Sequence, residues 1–506
     1  MIMLKQLNGR RSLPASEIVV IGSGPGGAVT ATLLAEAGRD VTLIEEGSHL
    51  PLSSAPHFSR EEILQKYRNG GINVALGPGK VSYVEGCCVG GGSEVNRGLY
   101  HRAGDELLDK WQREFRIEAF DGAKLRPHYE ACEQTTRISL LPGEAPAISL
   151  KLKIGADQLG WNCVEAPRLF EYVPDWRTGR LGTKQSMTET CVPRFLAAGG
   201  TLIADTRIDR LTRRNGRWHL HGSTRTPPGG RVPFELAGAT VFVACGAVHM
   251  PALLRRSGLS RNIGDSLAWH PMIKVVACFP EEVNQPGDLE PVHQVKQFDP
   301  RFSMGCSISK RPSLALALAE RPEGLAEVDR NWRHMAIYYA QTTGGRGSVR
   351  TLPLFRDPVV RAHAHPTDLQ DLAAGLRQLG TCLFAAGADT IYPCLKGFPV
   401  LRSEADLARL PTTLVADRAN LTALHIFSSC PMGEDQARCA TNSFGQVHRA
   451  DDLYIADASL FCGPTVVNPQ GTVMAVARRN AMKFLDGRTR PRQSQSATRW
   501  PQETNA

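Results

Sequence analysis

Glu17-Ile18-Val19-Val20-Ile21-Gly22-Ser23-Gly24-Pro25-Gly26-Gly27 is the stretch from which the rest of the chain is read. Its first five residues are mostly β-branched and apolar, the pattern of a buried parallel strand. Residues 28–37 follow as a helix, and Gly38 ends it as expected at a helix C-terminus. Val41-Thr42-Leu43-Ile44 is the next strand and Glu45 closes it, completing a βαβ unit. The glycines have separate physical tasks. Gly22 permits the tight turn, Gly24 lets backbone approach a pyrophosphate, and Gly27 lets the helix pack on the strand. The helix start offers free N–H groups and the positive end of its dipole to phosphates. Glu45 stands where an acidic side chain accepts bonds from ribose hydroxyls. The unit predicts dinucleotide binding, and by itself it does not separate FAD from NAD.

Working outward, the 506 residues predict two or three domains around separate cores. Strand-like runs recur at 201–203, leading toward Ile208, and at 239–244, where the run ends at Gly246. These fit a doubly wound α/β sheet. From 276 to 415 the pattern changes to polar alternation with Pro-rich joints, and 368–386 reads as a helix. We therefore expect residues 1–275 to form the first part of the dinucleotide domain, and 276–415 a second, α+β substrate domain on an antiparallel sheet. Residues 416–485 then return to the first domain, with a strand at 453–456 and a closing helix at 471–483. Residues 486–506, rich in Arg, Ser, Gln and Pro, read as a disordered tail.

Composition narrows the function. The net charge of +9 is partly carried by Arg488, Arg490, Arg492 and Arg499 in that tail. No aromatic-basic nucleic-acid motif accompanies it, so a nucleic-acid partner is not expected. The 13 cysteines include no CxxC pair, and His363 and His365 have no further ligands around them, so no metal is expected. Scattered free thiols, and an N-terminus without an apolar h-region, predict a cytoplasmic protein. The sequon Asn420-Leu421-Thr422 carries no weight in such a protein. No apolar run is long enough to span a bilayer.

Four separated segments together resemble the glucose–methanol–choline (GMC) family of FAD-dependent oxidoreductases, in order and spacing over about residues 17 to 483. They are the βαβ unit, the glycine-rich run Gly86 to Arg102, the stretch Gly246 to Pro271, and the block from His425 through Asn468-Pro469 to Asn480. The resemblance implies FAD as cofactor and a small-molecule alcohol as substrate. Gly90, Gly91 and Ser93 would then lie along the cofactor, with Asn96 near the flavin ring. Ile208, Asp457, Ala458 and Pro469 would be further cofactor contacts. Some members attach FAD through a His in the glycine-rich loop. Val95 precedes Asn96 here, so non-covalent FAD is expected. Cys87, Met250, Ser260, Ser428 and Pro431 depart from the family pattern.

Removing a hydride from a CH–OH group requires a base for the hydroxyl proton and a group that fixes the oxygen. His425 matches the family's catalytic His, and histidine's ordinary pKa of ~6.5 suits a base. Asn468 matches the second position, filled by His or Asn, and its Asn-Pro form resembles the sterol-oxidase-like branch. An amide cannot act as a base but can bond the oxygen. His101, His249, His270 and His448 read as structural or supporting. The leading expectation is an alcohol oxidase or dehydrogenase, with oxygen or a quinone-like carrier reoxidising the flavin. The alternative is a lyase or decarboxylase on the same scaffold, without net alcohol oxidation.

Overall fold

The computed structural model describes residues 11–12, 14–173, 182–227, 229–286, 290–319 and 321–488. Its first sheet is built around the opening βαβ unit. Strand β1 (Ser16–Ile21) runs into helix α1 (Pro25–Glu36), which returns to β2 (Val41–Ile44). The strands β3 (Thr201–Ile203), β4 (Thr206–Arg214), β5 (Arg217–Thr226) and β6 (Gly230–Val243) complete the main order β3-β2-β1-β6-β5-β4. Pairing is parallel from β3 through β2 and β1 to β6, and antiparallel from β6 to β5 to β4. The four residues of β2 are all buried, and its one polar side chain, Thr42, is satisfied by the Ser16 hydroxyl at 2.6 Å.

Helix α1 is buried on nearly every side, and its sequence of Gly, Ala and Thr explains why it fits. A side chain at Gly26 would put its Cβ 1.9 Å from the Ala456 carbonyl oxygen, and one at Gly27 1.9 Å from that of Gly22. Thr30 and Thr32 satisfy their hydroxyls on the carbonyls of Gly26 and Ala28 at 2.8 and 2.7 Å. The run ending at residue 244 is longer than its apolar half suggests. The outer half of β6 alternates in burial and contains Pro233, so it does not read as a buried strand. Beyond it the chain enters α2 (Gly246–Arg256) directly.

The second sheet has nine strands and is antiparallel except for one pair. Its centre is β7 (Met272–Cys278) against β8 (Met335–Gln341). Helix α3 (Pro366–Ala385) packs on this sheet through Leu372, Leu376, Leu379 and Leu383, all fully buried. The sheet is not confined to 276–415. It takes in Asn73–Ala75, Lys80–Tyr83, Cys163–Glu165 and Asn420–Ala423, and β7 itself begins before 276.

The chain returns to the first sheet at β9 (Leu453–Ile455), parallel to β6. It ends in α4 (Gln470–Arg488), which packs on α1. That helix is longer at its end than the 471–483 expected, so residues 486–488 are helical and not tail. The remaining tail lies outside the described residues. Among the described residues, no helix is long and apolar enough to cross a membrane, and no His, Cys, Asp and Glu cluster could hold a metal. None of the 13 cysteines forms a disulfide among the described residues. His365 instead caps α3, accepting from the Thr367 N–H.

Candidate active site

A cavity of about 1110 Å³ runs from the start of α1 to His425 and Asn468. Two glycine loops form one wall. Gly22 holds φ at +100°, and a Cβ there would lie 2.2 Å from the Ala244 carbonyl oxygen. Gly91 holds φ at +53° and approaches Gly24 so closely that a Cβ on it would lie 2.9 Å from the Gly24 Cα. Gly24 is the N-cap of α1 and carries no side-chain cap, so the first N–H groups of the helix are available to a ligand. A side chain added at Gly24 would meet nothing within 4 Å, because the space in front of it is open.

Glu45 lies beside this wall, buried. Its Oε2 accepts from the Ser23 N–H and hydroxyl at 3.0 and 2.7 Å, and its Oε1 from the Gly47 N–H at 2.9 Å. Burial pushes its carboxyl above the ordinary range. Oε1 keeps acceptor capacity for a ribose hydroxyl. The Ser23 hydroxyl also accepts from the Gly90 N–H at 3.0 Å, tying the two glycine loops together. Ile208, Asp457, Ala458 and Pro469 line the same cavity. Asp457 is fixed by the Gly246 and Ser459 N–H groups at 2.8 and 2.9 Å. Gly27, Gly90 and Ser93 do not reach the cavity. Gly27 packs α1 on the Gly22 turn, and Ser93 ties its loop to the Gly90 carbonyl and the Met187 N–H at 2.7 and 3.0 Å.

Asn96 is braced from behind by groups the sequence reading did not single out. The buried Lys184 ammonium donates to the carbonyls of Glu94 and Asn96, and burial pulls its pKa down to about 8. The His57 ring lies 3.3 Å from the same Asn96 carbonyl.

His425 and Asn468 meet across 43 residues of chain, with Asn468 Nδ2 donating to His425 Nε2 at 3.2 Å. Asn468 Oδ1 accepts from Gln294 at 3.5 Å, which sets the direction of its amide. The other side of His425 rests on His270, with the two Nδ1 atoms 3.1 Å apart. His270 Nε2 contacts the Thr465 carbonyl, which can only accept, so Nε2 carries the proton. Burial holds His270 down at about 4, so the ring is neutral at pH 7 and its Nδ1 is a bare acceptor. His425 therefore donates from Nδ1, and its Nε2 lone pair accepts from the Asn468 amide on the cavity side. Burial, then the neighbouring His270, Arg97 and His101, hold His425 well below the ordinary imidazole range. His270 thus does more than fill space. Its sequence signal is slight, a His before Pro271 with nothing local to show that it touches residue 425.

The residues present fit a flavin dinucleotide. Open space lies in front of uncapped helix N–H groups, and an acceptor stands at ribose distance in sequence. Arg68 and Glu85 also line the cavity, paired with each other at 3.8 Å between Nε and Oε2. Two sequence models, both described as GMC oxidoreductase, match residues 21–272 and 345–477. An uncharacterized GMC-type oxidoreductase of Sinorhizobium fredii is 36% identical over 97% of this chain and 99% of its own length. A long-chain-alcohol oxidase of Arabidopsis thaliana is 26% identical over 91% of this chain and 66% of its own. The crystal structure of pyridoxine 4-oxidase from Mesorbium loti superposes with a TM-score of 0.71 at 17% identity, over 93% of this chain and 99% of that one. The chain belongs to the GMC oxidoreductase family. It is an FAD-dependent oxidoreductase.

Proposed function

We propose that the protein oxidises the CH–OH group of an alcohol to an aldehyde or ketone, with His425 as proton acceptor and Asn468 holding the oxygen. The observation that carries this reading is the pair of cavity-facing atoms, His425 Nε2 and Asn468 Nδ2, 3.2 Å apart. An alcohol oxygen that enters here displaces the amide from the Nε2 lone pair, donates its proton to Nε2 and accepts from Asn468 Nδ2. FAD, when bound, supplies the hydride acceptor at its N5. Gly22, Gly24, Glu45, Gly91, Asn96, Ile208, Asp457, Ala458 and Pro469 would hold it, with Gly27, Gly90 and Ser93 shaping the loops behind. Val95 offers no side chain for a covalent link, so the cofactor is held without one.

The surroundings of His425 act in two directions. Burial and the Arg97 cation both raise the cost of an imidazolium, and the cation also lowers the cost of negative charge on the alcohol oxygen. Proton transfer between the two moves charge within one field, so the base stays neutral and ready at pH 7. In this reading the segment 276–415 supplies much of the substrate side, and 416–485 brings back the catalytic pair. The exposed Leu64, Ile72, Leu316 and Leu325 also line the cavity, which favours an apolar tail on the alcohol. The Arabidopsis relative's name, long-chain-alcohol oxidase, agrees with that. Oxygen or a quinone-like carrier then reoxidises the flavin. The test is the visible spectrum of the purified protein, followed by a panel of alcohols without oxygen. Flavin bands that bleach with an alcohol support the reading, and bands that no alcohol bleaches overturn it.

A further inference from the structure

One charged group on the cavity wall has no use in the reaction just described. Lys274 stands in β7, where Ile273 and Val275 are fully buried in the apolar core. Strand alternation turns Met272 and Lys274 to the opposite face. Their register partners on β8 are Gln341 and Tyr339, and all four line the cavity. Tyr339 accepts from Gln294 at 3.3 Å, and Gln294 in turn donates to Asn468. Lys274 therefore shares a sheet face with the hydrogen-bond chain that orients the catalytic amide.

Among the described residues, nothing forms an ion pair or hydrogen bond with the Lys274 ammonium. The ionisable groups that act on it are the Cys394 thiol and a second cation, Arg97, and burial lowers its pKa. Arg97 also lines the cavity, and its guanidinium donates to the Cys306 carbonyl at 2.5 Å. The same Arg97 acts on His425. A cation taken out of water without a partner is costly. Such a group in a cavity wall is satisfied when a ligand brings the opposite charge.

We infer that the alcohol oxidised here carries an anionic oxygen group, a carboxylate or a phosphate, which pairs with Lys274 while its hydroxyl lies at His425 and Asn468. Lys274 is then a specificity-determining residue, with Arg97 adding field. The inference rests on the alcohol-oxidation reading, and its test separates the two.

The FAD-loaded protein is titrated with hexanoate, hexyl phosphate and the neutral isostere hexanamide, none of which can be oxidised as an alcohol. Binding is read by calorimetry and by perturbation of the flavin spectrum. At least one anion is expected to bind about tenfold or more tightly than hexanamide. The tighter of the two anions identifies the group. Lys274→Met should erase that preference and Lys274→Arg should keep it, and Lys274→Gln replaces the Met variant if that one loses flavin. Hexanamide binding as tightly as both anions overturns the inference, as does a preference that survives removal of the charge. His425→Ala should retain the anion preference. Wild-type protein that binds the anion but reduces its flavin with no alcohol would sink only the alcohol-oxidation reading.

Discussion

Two walls of one cavity solve different problems with different atoms. Along the start of α1 the chain offers backbone, with Gly22, Gly24 and Gly91 clearing space and helix N–H groups filling the role of donors. Around His425 it offers side chains, four of which (His425, His270, Asn468 and Gln294) are linked by hydrogen bonds. The backbone wall has no room for an added atom at Gly22 or Gly91, where the turns pack against other backbone. The side-chain wall depends on which proton sits on which nitrogen. A cofactor that stays bound suits the first kind of wall. A substrate that must be oriented and deprotonated needs the second.

The sharpest way to break this contrast is His425→Ala. Flavin should remain bound, while its anaerobic reduction by a good alcohol slows about 10²- to 10⁴-fold in stopped-flow measurements. An unchanged rate would remove His425 from the proton transfer. Gly22→Ala attacks the other wall. The new Cβ meets the Ala244 carbonyl oxygen at 2.2 Å on a backbone with φ at +100°. A cost of about 3 kcal/mol is expected, read as a lower urea midpoint and less flavin per mole of protein. Full flavin content with unchanged stability would show that this turn is not the rigid element argued here.

Acidity sharpens the comparison from the side-chain wall. His270 is neutral in the fold, with its pKa held down at about 4 by burial, against ~6.5 when unfolded. The unfolded chain binds the proton more readily, so stability is full above pH ~6.5. It falls as the pH drops from ~6.5 toward about 4 and then levels off. About 2 kcal/mol should be lost on this account between pH 7.5 and 5. His270→Gln should shrink the pH dependence of the urea-unfolding free energy by that amount, and an unaltered slope contradicts the burial argument. The smallest effect is expected from Ser23→Ala, which removes one bond to Glu45 and one from the Gly90 N–H. About 1 kcal/mol of stability should go with it, with flavin affinity weakened and the reduction rate of loaded protein unchanged. A slowed reduction step would mean that the two walls are coupled.

The backbone wall was the legible one. Strand, glycine turn, helix and strand follow one another within some thirty residues, although the backbone that crowds Gly22 and Gly26 comes from Ala244 and Ala456. Observed bounds of 16–21, 25–36 and 41–44 lie close to the expected ones. His425 and Asn468 were legible by a different route, as positions in a family pattern, and the structure brings them together without testing their roles. The second sheet was less legible. Its strands at 73–75, 80–83 and 163–165 lie far from 272–278 in sequence, and short strands carry little periodicity of their own. Gln294 and Lys274 gave only faint signals, the latter as one lysine in an apolar strand.

The sequence by itself determined the dinucleotide turn, the α/β class and the membership that four spaced segments imply, because those depend on local backbone requirements and on order along the chain. Only the tertiary structure decided that His270 supports His425, that Gln294 turns the Asn468 amide, and that Lys274 faces the same cavity with no ion-pair or hydrogen-bond partner among the described residues. These are contacts between strands and loops that the chain brings together from about 155 to 174 residues apart. Their protonation and direction follow from burial and from which neighbour can only accept. Neither is a property of any one stretch of sequence.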